Sequence, residues 1–264
     1  MRLMIAAVLL AAAYGAVNVY ATFQQEQRIA RKIESYEGYI EFDYFWPDWL
    51  PPSVASRLPW FDRISKVRFH GDLVSENLLA ELRSLNKLES LSLQRTKDID
   101  AKLKTLKRLP KLTSLNLRSS RVSGLGLERI EALTNLTYLN LGDTQVTDAS
   151  LEHLKGLTSL TYLDLSHTQV SDAGLDHLKV LVNLRRLNLT RTQVYGPGLE
   201  HLKRLPKLEA LILKDSQFTS AGFRHLQGPT SLTHLDLGIL LVTDEARATL
   251  LKALPNCSIK PAYP

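Results

Sequence analysis

Four histidines stand 24 residues apart, at His153, His177, His201 and His225. Imidazoles serve as metal ligands and as general bases, so a regular histidine array is the first place to look for chemistry. Each of the four is followed directly by a leucine, which puts them beside a core position on one repeated element. Two imidazoles sharing a metal must both bring a nitrogen to about 2.0 to 2.1 Å of the ion. One histidine per repeating unit keeps them too far apart for that, so the array reads as duplication of a partly exposed helix residue. The phosphate-loop, zinc-protease, serine-nucleophile and paired-cysteine motifs are all absent. The single cysteine, Cys257, excludes an internal disulfide, and its setting in Leu254-Pro-Asn-Cys-Ser-Ile259 marks it as a buried end residue. The chain is therefore read as non-enzymatic, with no catalytic residue, metal site or cofactor assigned.

The element that carries the histidines is itself repeated. Units begin at Ile64, Leu88, Leu112, Leu136, Leu160, Leu184, Leu208 and Leu232, each 24 residues after the last and without insertions. Within the unit that starts at Leu136, Leu139 and Leu141 alternate with Tyr138 and Asn140, the period of a strand with one buried face. Leu151, Leu154 and Leu157 then recur every three residues, which reads as one face of a short helix. Thr147 followed by Asp148 supplies a helix start, a hydroxyl for free amides and a carboxylate for the positive first turn. Ser75, Ser123, Ser171, Thr219 and Thr243 hold the same cap position in other units, whereas Ile99 and Tyr195 depart from it.

The pattern L-x-x-L-x-L-x-x-T-x-V resembles the leucine-rich-repeat motif, with Thr or Ser where that family usually has Asn or Cys, over about Ile64 to Ile259. With its T-x-V-[TS]-D-A-G-L units and apolar N-terminal segment, the chain is similar to bacterial leucine-rich-repeat proteins that carry a signal or anchor. The resemblance implies an α/β fold, a right-handed solenoid with a parallel concave sheet and short helices on the convex side. It also implies that Thr96, Ser120, Thr144, Thr168, Thr192 and Ser216 form an internal hydroxyl ladder that satisfies backbone groups at the strand exits. Asp72 and Leu240 break that ladder at its ends. Asp98 stands where other units have Val or Phe, and a local slip would let Ile99 fill the core in its place.

On such a solenoid the outward strand positions are free of structural duty. Tyr138, Tyr162 and Arg186 share one such position, Asn140 and Asp164 the next, and Asp143, His167, Arg191 and Asp215 lie beyond. Tyr and Arg dominate binding hot spots. Tyr138, Tyr162, Arg186, Asn140, Asp164, His167 and Arg191 are accordingly the expected ligand-binding residues of the concave face. The competing reading is a solvated polar sheet whose ladders only stabilise the stack.

Before the repeats, Leu3 to Gln25 has no charged side chain and Leu3 to Ala13 is continuously apolar. Residues 1–25 thus read as a transmembrane anchor through residues 3–23. A cleaved signal peptide fits as well, with Ala13-Tyr-Gly15 or Val19-Tyr-Ala21 as the cleavage site. Residues 26–63 read as an N-terminal cap: Ile29, Ala30 and Ile33 on a short helix ending near Gly38, a strand over Tyr39–Tyr44, and Trp46, Trp49, Trp60 and Phe61 in a proline-rich connection. Residues 64–259 are the repeats and closing strand, and 260–264 a tail. The solenoid is expected in the periplasm or cell envelope, on a single-pass anchor or secreted after signal cleavage.

The leading expectation is a protein-protein interaction module acting through the concave face, its partner a protein or a glycan. A second is an adaptor that presents targets to an enzyme. A third is a salt-sensitive binder of an anionic polymer or lipid, using Lys102, Lys104, Lys107, Arg108 and Lys111 on residues 102–111. The net charge of +6 permits an anionic partner, but it is too diffuse to favour nucleic acid.

Overall fold

The computed structural model describes residues 2–44, 62–217, 220–226, 231–238 and 244–260, with side chains in the first helix from Val17 onward. The expected aromatic cap residues Trp46, Trp49, Trp60 and Phe61, and the ladder position Leu240, lie outside the described residues.

The chain begins with one helix, α1, over Arg2–Ser35. The short cap helix expected around Ile29 is instead the last part of this single rod. No proline interrupts residues 2–35, and Gln24 to Arg28 are good helix formers, so nothing in the sequence ends the first helix before the cap begins. It stops at Glu37, whose backbone is left-handed (φ 54°), while the Gly38 N–H donates to the Ile33 carbonyl at 2.9 Å. Ile29, Ala30 and Ile33 are buried against the first repeat.

Ten strands form one sheet in chain order. They are β1 Tyr39–Tyr44, β2 Asp62–His70, β3 Ser90–Gln94, β4 Ser114–Asn116, β5 Tyr138–Asn140, β6 Tyr162–Asp164, β7 Arg186–Asn188, β8 Ala210–Ile212, β9 His234–Asp236 and β10 Ser258–Lys260. Strands β2 to β10 are parallel, and β1 adds to β2 in antiparallel sense, with an irregularity at Glu41/Phe42. The register is strict: Leu91, Leu115, Leu139, Leu163, Leu187, Leu211 and Leu235 align across the sheet. Every one of these leucines is at most 1% exposed, so the core is a leucine column that no single repeat could bury alone.

Short helical segments lie behind the sheet. The early ones are α-helical, over Glu76–Glu81, Ile99–Leu103 and Gly124–Ile130, but those over Ala149–Leu154, Asp172–Val180, Pro197–Arg204 and Ser220–Leu226 are 3₁₀ helices. A three-residue recurrence of leucines is the period of a 3₁₀ helix. At Asp98 the expected slip is present: Asp98 takes a left-handed backbone (φ 48°) and stays exposed, while Ile99 is fully buried. The closing segment ends in β10, and burial pushes the Cys257 thiol above its usual range.

Candidate binding surface

The strand exits explain why the sheet is so regular. The hydroxyls of Thr96, Ser120, Thr144, Thr168, Thr192 and Ser216 each donate to the carbonyl three residues earlier, Thr144 to Leu141 and Thr168 to Leu165 both at 2.6 Å. The residues immediately before these hydroxyls, Arg95, Ser119, Asp143, His167, Arg191 and Asp215, all have φ between 48° and 58°. A non-glycine residue in this region is strained. Here the strain is offset by backbone bonds to the following repeat, such as His167 N–H to the Thr190 carbonyl at 2.8 Å. Asp143, His167 and Arg191 are thereby turned outward at the rim of the sheet and exposed.

On the open face, Tyr138, Tyr162 and Arg186 sit on adjacent strands in register. The two tyrosine rings stack, with centroids 4.5 Å apart and planes inclined by 9°. Arg186 follows them and is exposed. Burial beside its neighbours, and then the Asp164 carboxylate, push the Tyr162 phenol up to about 12, and its hydroxyl donates to Asp164 Oδ2 at 3.4 Å. The phenol therefore stays protonated at any physiological pH, with its proton directed at the Asp164 carboxylate.

Asn140 and Asp164 belong to a different class from the tyrosines. They occupy outward strand positions, yet they are only 6% and 3% exposed. Each side chain folds back to accept a backbone amide two residues on: Gly142 N–H to Asn140 Oδ1 at 2.9 Å and Ser166 N–H to Asp164 Oδ1 at 2.8 Å. Asn116, Asn188 and Asp236 make the same turn. This row shapes the strand ends, a duty that period-two alternation does not reveal. Arg191 is half-engaged: its Nε lies 3.1 Å from Asp215 Oδ2 across one repeat, at the surface. His167 stands exposed beside it.

The face continues toward the N-terminal edge in a way the repeat pattern alone could not show. Strand β1 brings Tyr39 opposite Arg68, whose guanidinium lies 5.8 Å from the ring centre. A shallow depression of about 190 Å³ runs from Tyr39 through Lys66, Ser92 and Asn116 to Tyr138. A second, of about 100 Å³, lies between Arg186, His234 and Lys260.

The convex side holds a second feature missed in the sequence. Asp148, read above as a charge for its own helix start, reaches into the next repeat, where it accepts Ser171 N–H at 2.7 Å and Ser171 Oγ–H at 2.6 Å. Asp100 does the same for Ser123, and Asp172 receives the amides of Tyr195, Gly196 and Gly198. A Cβ on Gly126 or Gly174 would overlap the incoming carboxylate, and one on Gly198 would overlap the Asp172 backbone. Where the earlier repeat has Gly124 in place of the aspartate, the matching position in the next is Ser150, and Ser150 Oγ accepts Thr147 N–H within its own repeat. The signal was present in the sequence as an Asp in one unit paired with a Gly 26 residues on.

Two of the array histidines face carboxylates of the preceding repeat: His153 Nδ1 is 3.6 Å from Glu131 and His201 Nδ1 is 3.3 Å from Asp176. Among the described residues no three His, Cys, Asp or Glu side chains converge as a metal site would require. In the basic segment, Lys104 pairs with Glu76 at 2.9 Å.

Residues 110–170 match the family model for the leucine rich repeat. No curated protein matches the chain. Among solved structures, an internalin from Listeria monocytogenes is 26% identical over 70% of this chain and 50% of its own, with a TM-score of 0.55. Internalin C2 from the same organism is 25% identical over 71% of this chain and 84% of its own, with a TM-score of 0.53. A TLR13 complex with ssRNA13 is 20% identical over 75% of this chain and 29% of its own, with a TM-score of 0.58. The chain thus spans half the length of the first internalin. Together with the sheet, these likenesses establish the leucine-rich-repeat fold, whose members are generally interaction modules and typically non-enzymatic scaffolds.

Proposed function

We propose that this protein is a non-catalytic interaction module that binds a protein partner through the concave sheet face, centred on Tyr138, Tyr162 and Arg186. The observation that carries the reading is the stacked tyrosine pair next to an exposed arginine on an open, rigid sheet. Aromatic rings supply large contact areas at low entropic cost, and tyrosine and arginine are both enriched in measured hot spots. His167 and Arg191 extend the patch along the rim. Asn140 and Asp164 support it from beneath, because their side chains are already committed to backbone amides. Substituting Tyr138, Tyr162 and Arg186 together by Ala should abolish recovery of the physiological partner while leaving the melting temperature within a few degrees. Full recovery with all three removed would refute the patch.

We further propose that α1 anchors the solenoid to a membrane in the cell envelope. Among the described residues no helix is long and apolar enough to cross a membrane; the run Leu3–Ala13 precedes the described side chains. Support comes from continuity. Both candidate cleavage sites fall inside an unbroken helix, and that helix is locked at its far end into the first repeat. Fractionation combined with intact-mass measurement tests this reading. Full-length chain in the membrane pellet is expected, and a soluble chain beginning near Ala16 or Thr22 would show a cleaved signal instead.

A further inference from the structure

A groove of about 720 Å³ lies where α1 crosses the convex side of the first two repeats. Three arginines from three different elements line it: Arg28 from α1, Arg83 from the first repeat and Arg108 from the second. None of the three is paired with a carboxylate among the described residues. Arg83 is held in place by a bond from its Nε to the Ala80 carbonyl at 2.9 Å. The carboxylate at the groove, Glu81, is already neutralised by Lys32, which donates to both of its oxygens. Gln25 and Ser84 add neutral polar groups to the wall. Arginines that share one groove without counter-charges suit a phosphate, which a guanidinium can engage through paired N–H donors.

The position of the groove along α1 narrows the source of that phosphate. Arg28 lies five residues beyond Phe23, the end of the expected membrane span, or about 7.5 Å further along a helix rising 1.5 Å per residue. With residues 3–23 in the hydrocarbon, that distance sets the groove at headgroup depth. We infer that the groove formed by Arg28, Arg83 and Arg108 binds the phosphate of an anionic phospholipid headgroup, clamping the first repeats of the solenoid against the membrane surface. The lipid assignment rests on the anchor reading; the phosphate site itself does not.

The test titrates the full chain in a non-ionic detergent with dihexanoyl phosphatidylglycerol, dihexanoyl phosphatidylcholine and inorganic phosphate, followed by calorimetry. Phosphatidylglycerol should bind at least tenfold more tightly than phosphatidylcholine. The triple variant Arg28→Gln, Arg83→Gln, Arg108→Gln should lose at least tenfold in affinity. A control of equal charge change, Lys107→Gln, Lys111→Gln, Arg121→Gln, should lose less than twofold. Absence of phosphatidylglycerol binding, or equal losses in both variants, would overturn the site. Inorganic phosphate displacing phosphatidylglycerol at equal concentration would overturn the lipid assignment in favour of free phosphate. A soluble, cleaved chain that still binds through the three arginines would refute the anchor and leave the phosphate site standing. A membrane-bound chain that fails to bind would refute the groove alone.

Discussion

The joints between repeats and the joint between α1 and the first repeat hold together by different chemistry. A repeat meets a near copy of itself, so whatever it presents must be self-complementary. Leucine packs on leucine, tyrosine stacks on tyrosine, and a strand pairs with its own image 24 residues on. The polar ties obey the same constraint by placing donor and acceptor at different positions of one unit, as Asp148 does with Ser171. The N-terminal joint brings together unlike surfaces and can use opposite charges. There Glu26, only 2% exposed, accepts the Ile64 N–H at 3.0 Å and faces the buried Arg63 at 3.8 Å, while Lys32 pairs with Glu81 outside it. Repetition therefore yields a stack whose ion pairs between repeats, such as Lys104–Glu76 and Arg191–Asp215, lie at the surface, and the buried ion pair lies where the repeat pattern begins.

The largest expected effect strikes the charged joint. Glu26→Ala should cost about 3 kcal/mol in denaturant unfolding, because it removes the acceptor for a buried amide and the counter-charge for a buried guanidinium. Glu26→Gln should cost clearly less, and the two variants differ also in pH dependence. Burial raises the Glu26 carboxyl above its ordinary value, against the Ile64 amide and Arg63, which lower it. A raised folded value means that this part of the stability is complete below about 4.5, the ordinary glutamate value, and is lost as pH rises through the folded value. Wild type should therefore lose stability, as pH rises above about 4.5, that Glu26→Gln retains; parallel profiles would show that the charge plays no part.

A repeat joint should respond to shape before charge. Gly174→Ala drives a methyl group into the Asp148 carboxylate and should cost about 2 kcal/mol. The same change in an Asp148→Ala background should cost roughly half as much, and equal penalties in both backgrounds would break the proposed coupling. On the open face a double-mutant cycle of Tyr138→Ala and Tyr162→Ala should return a coupling of about 1 kcal/mol, the range for stacked aromatic pairs. The smallest effect is spectroscopic. One tyrosine should ionise near 12, and Tyr162→Phe should remove that step. Because the folded value is raised, the associated stability is present below about 10 and is lost as pH climbs toward 12.

The leucine column and the Asp98 slip were legible in the sequence, because each follows from a side chain's polarity at a fixed period, whereas the hydroxyl ladder was implied by the resemblance to the leucine-rich repeat. Period two could not separate Asn140 and Asp164 from Tyr138 and Tyr162, since a short amide or carboxylate bends back to the backbone while a phenol cannot. Composition did not reveal that the apolar segment and the cap share one helix: the decisive fact is the absence of a breaker between Phe23 and Ile29. The arginine groove was invisible for another reason, because Arg28, Arg83 and Arg108 come from elements brought together only by folding.

The central claim, that recognition occurs on the open sheet, is tested most directly by a photo-crosslinking scan in living cells. A photoreactive residue would replace, one at a time, Tyr138, Tyr162, Arg186 and His167 on the sheet side, and Glu152, Lys155 and Glu200 on the convex side. A discrete adduct from the sheet positions, absent from the convex ones, is the predicted result. The same adduct arising from the convex positions and not from Tyr138 or Tyr162 would contradict the claim.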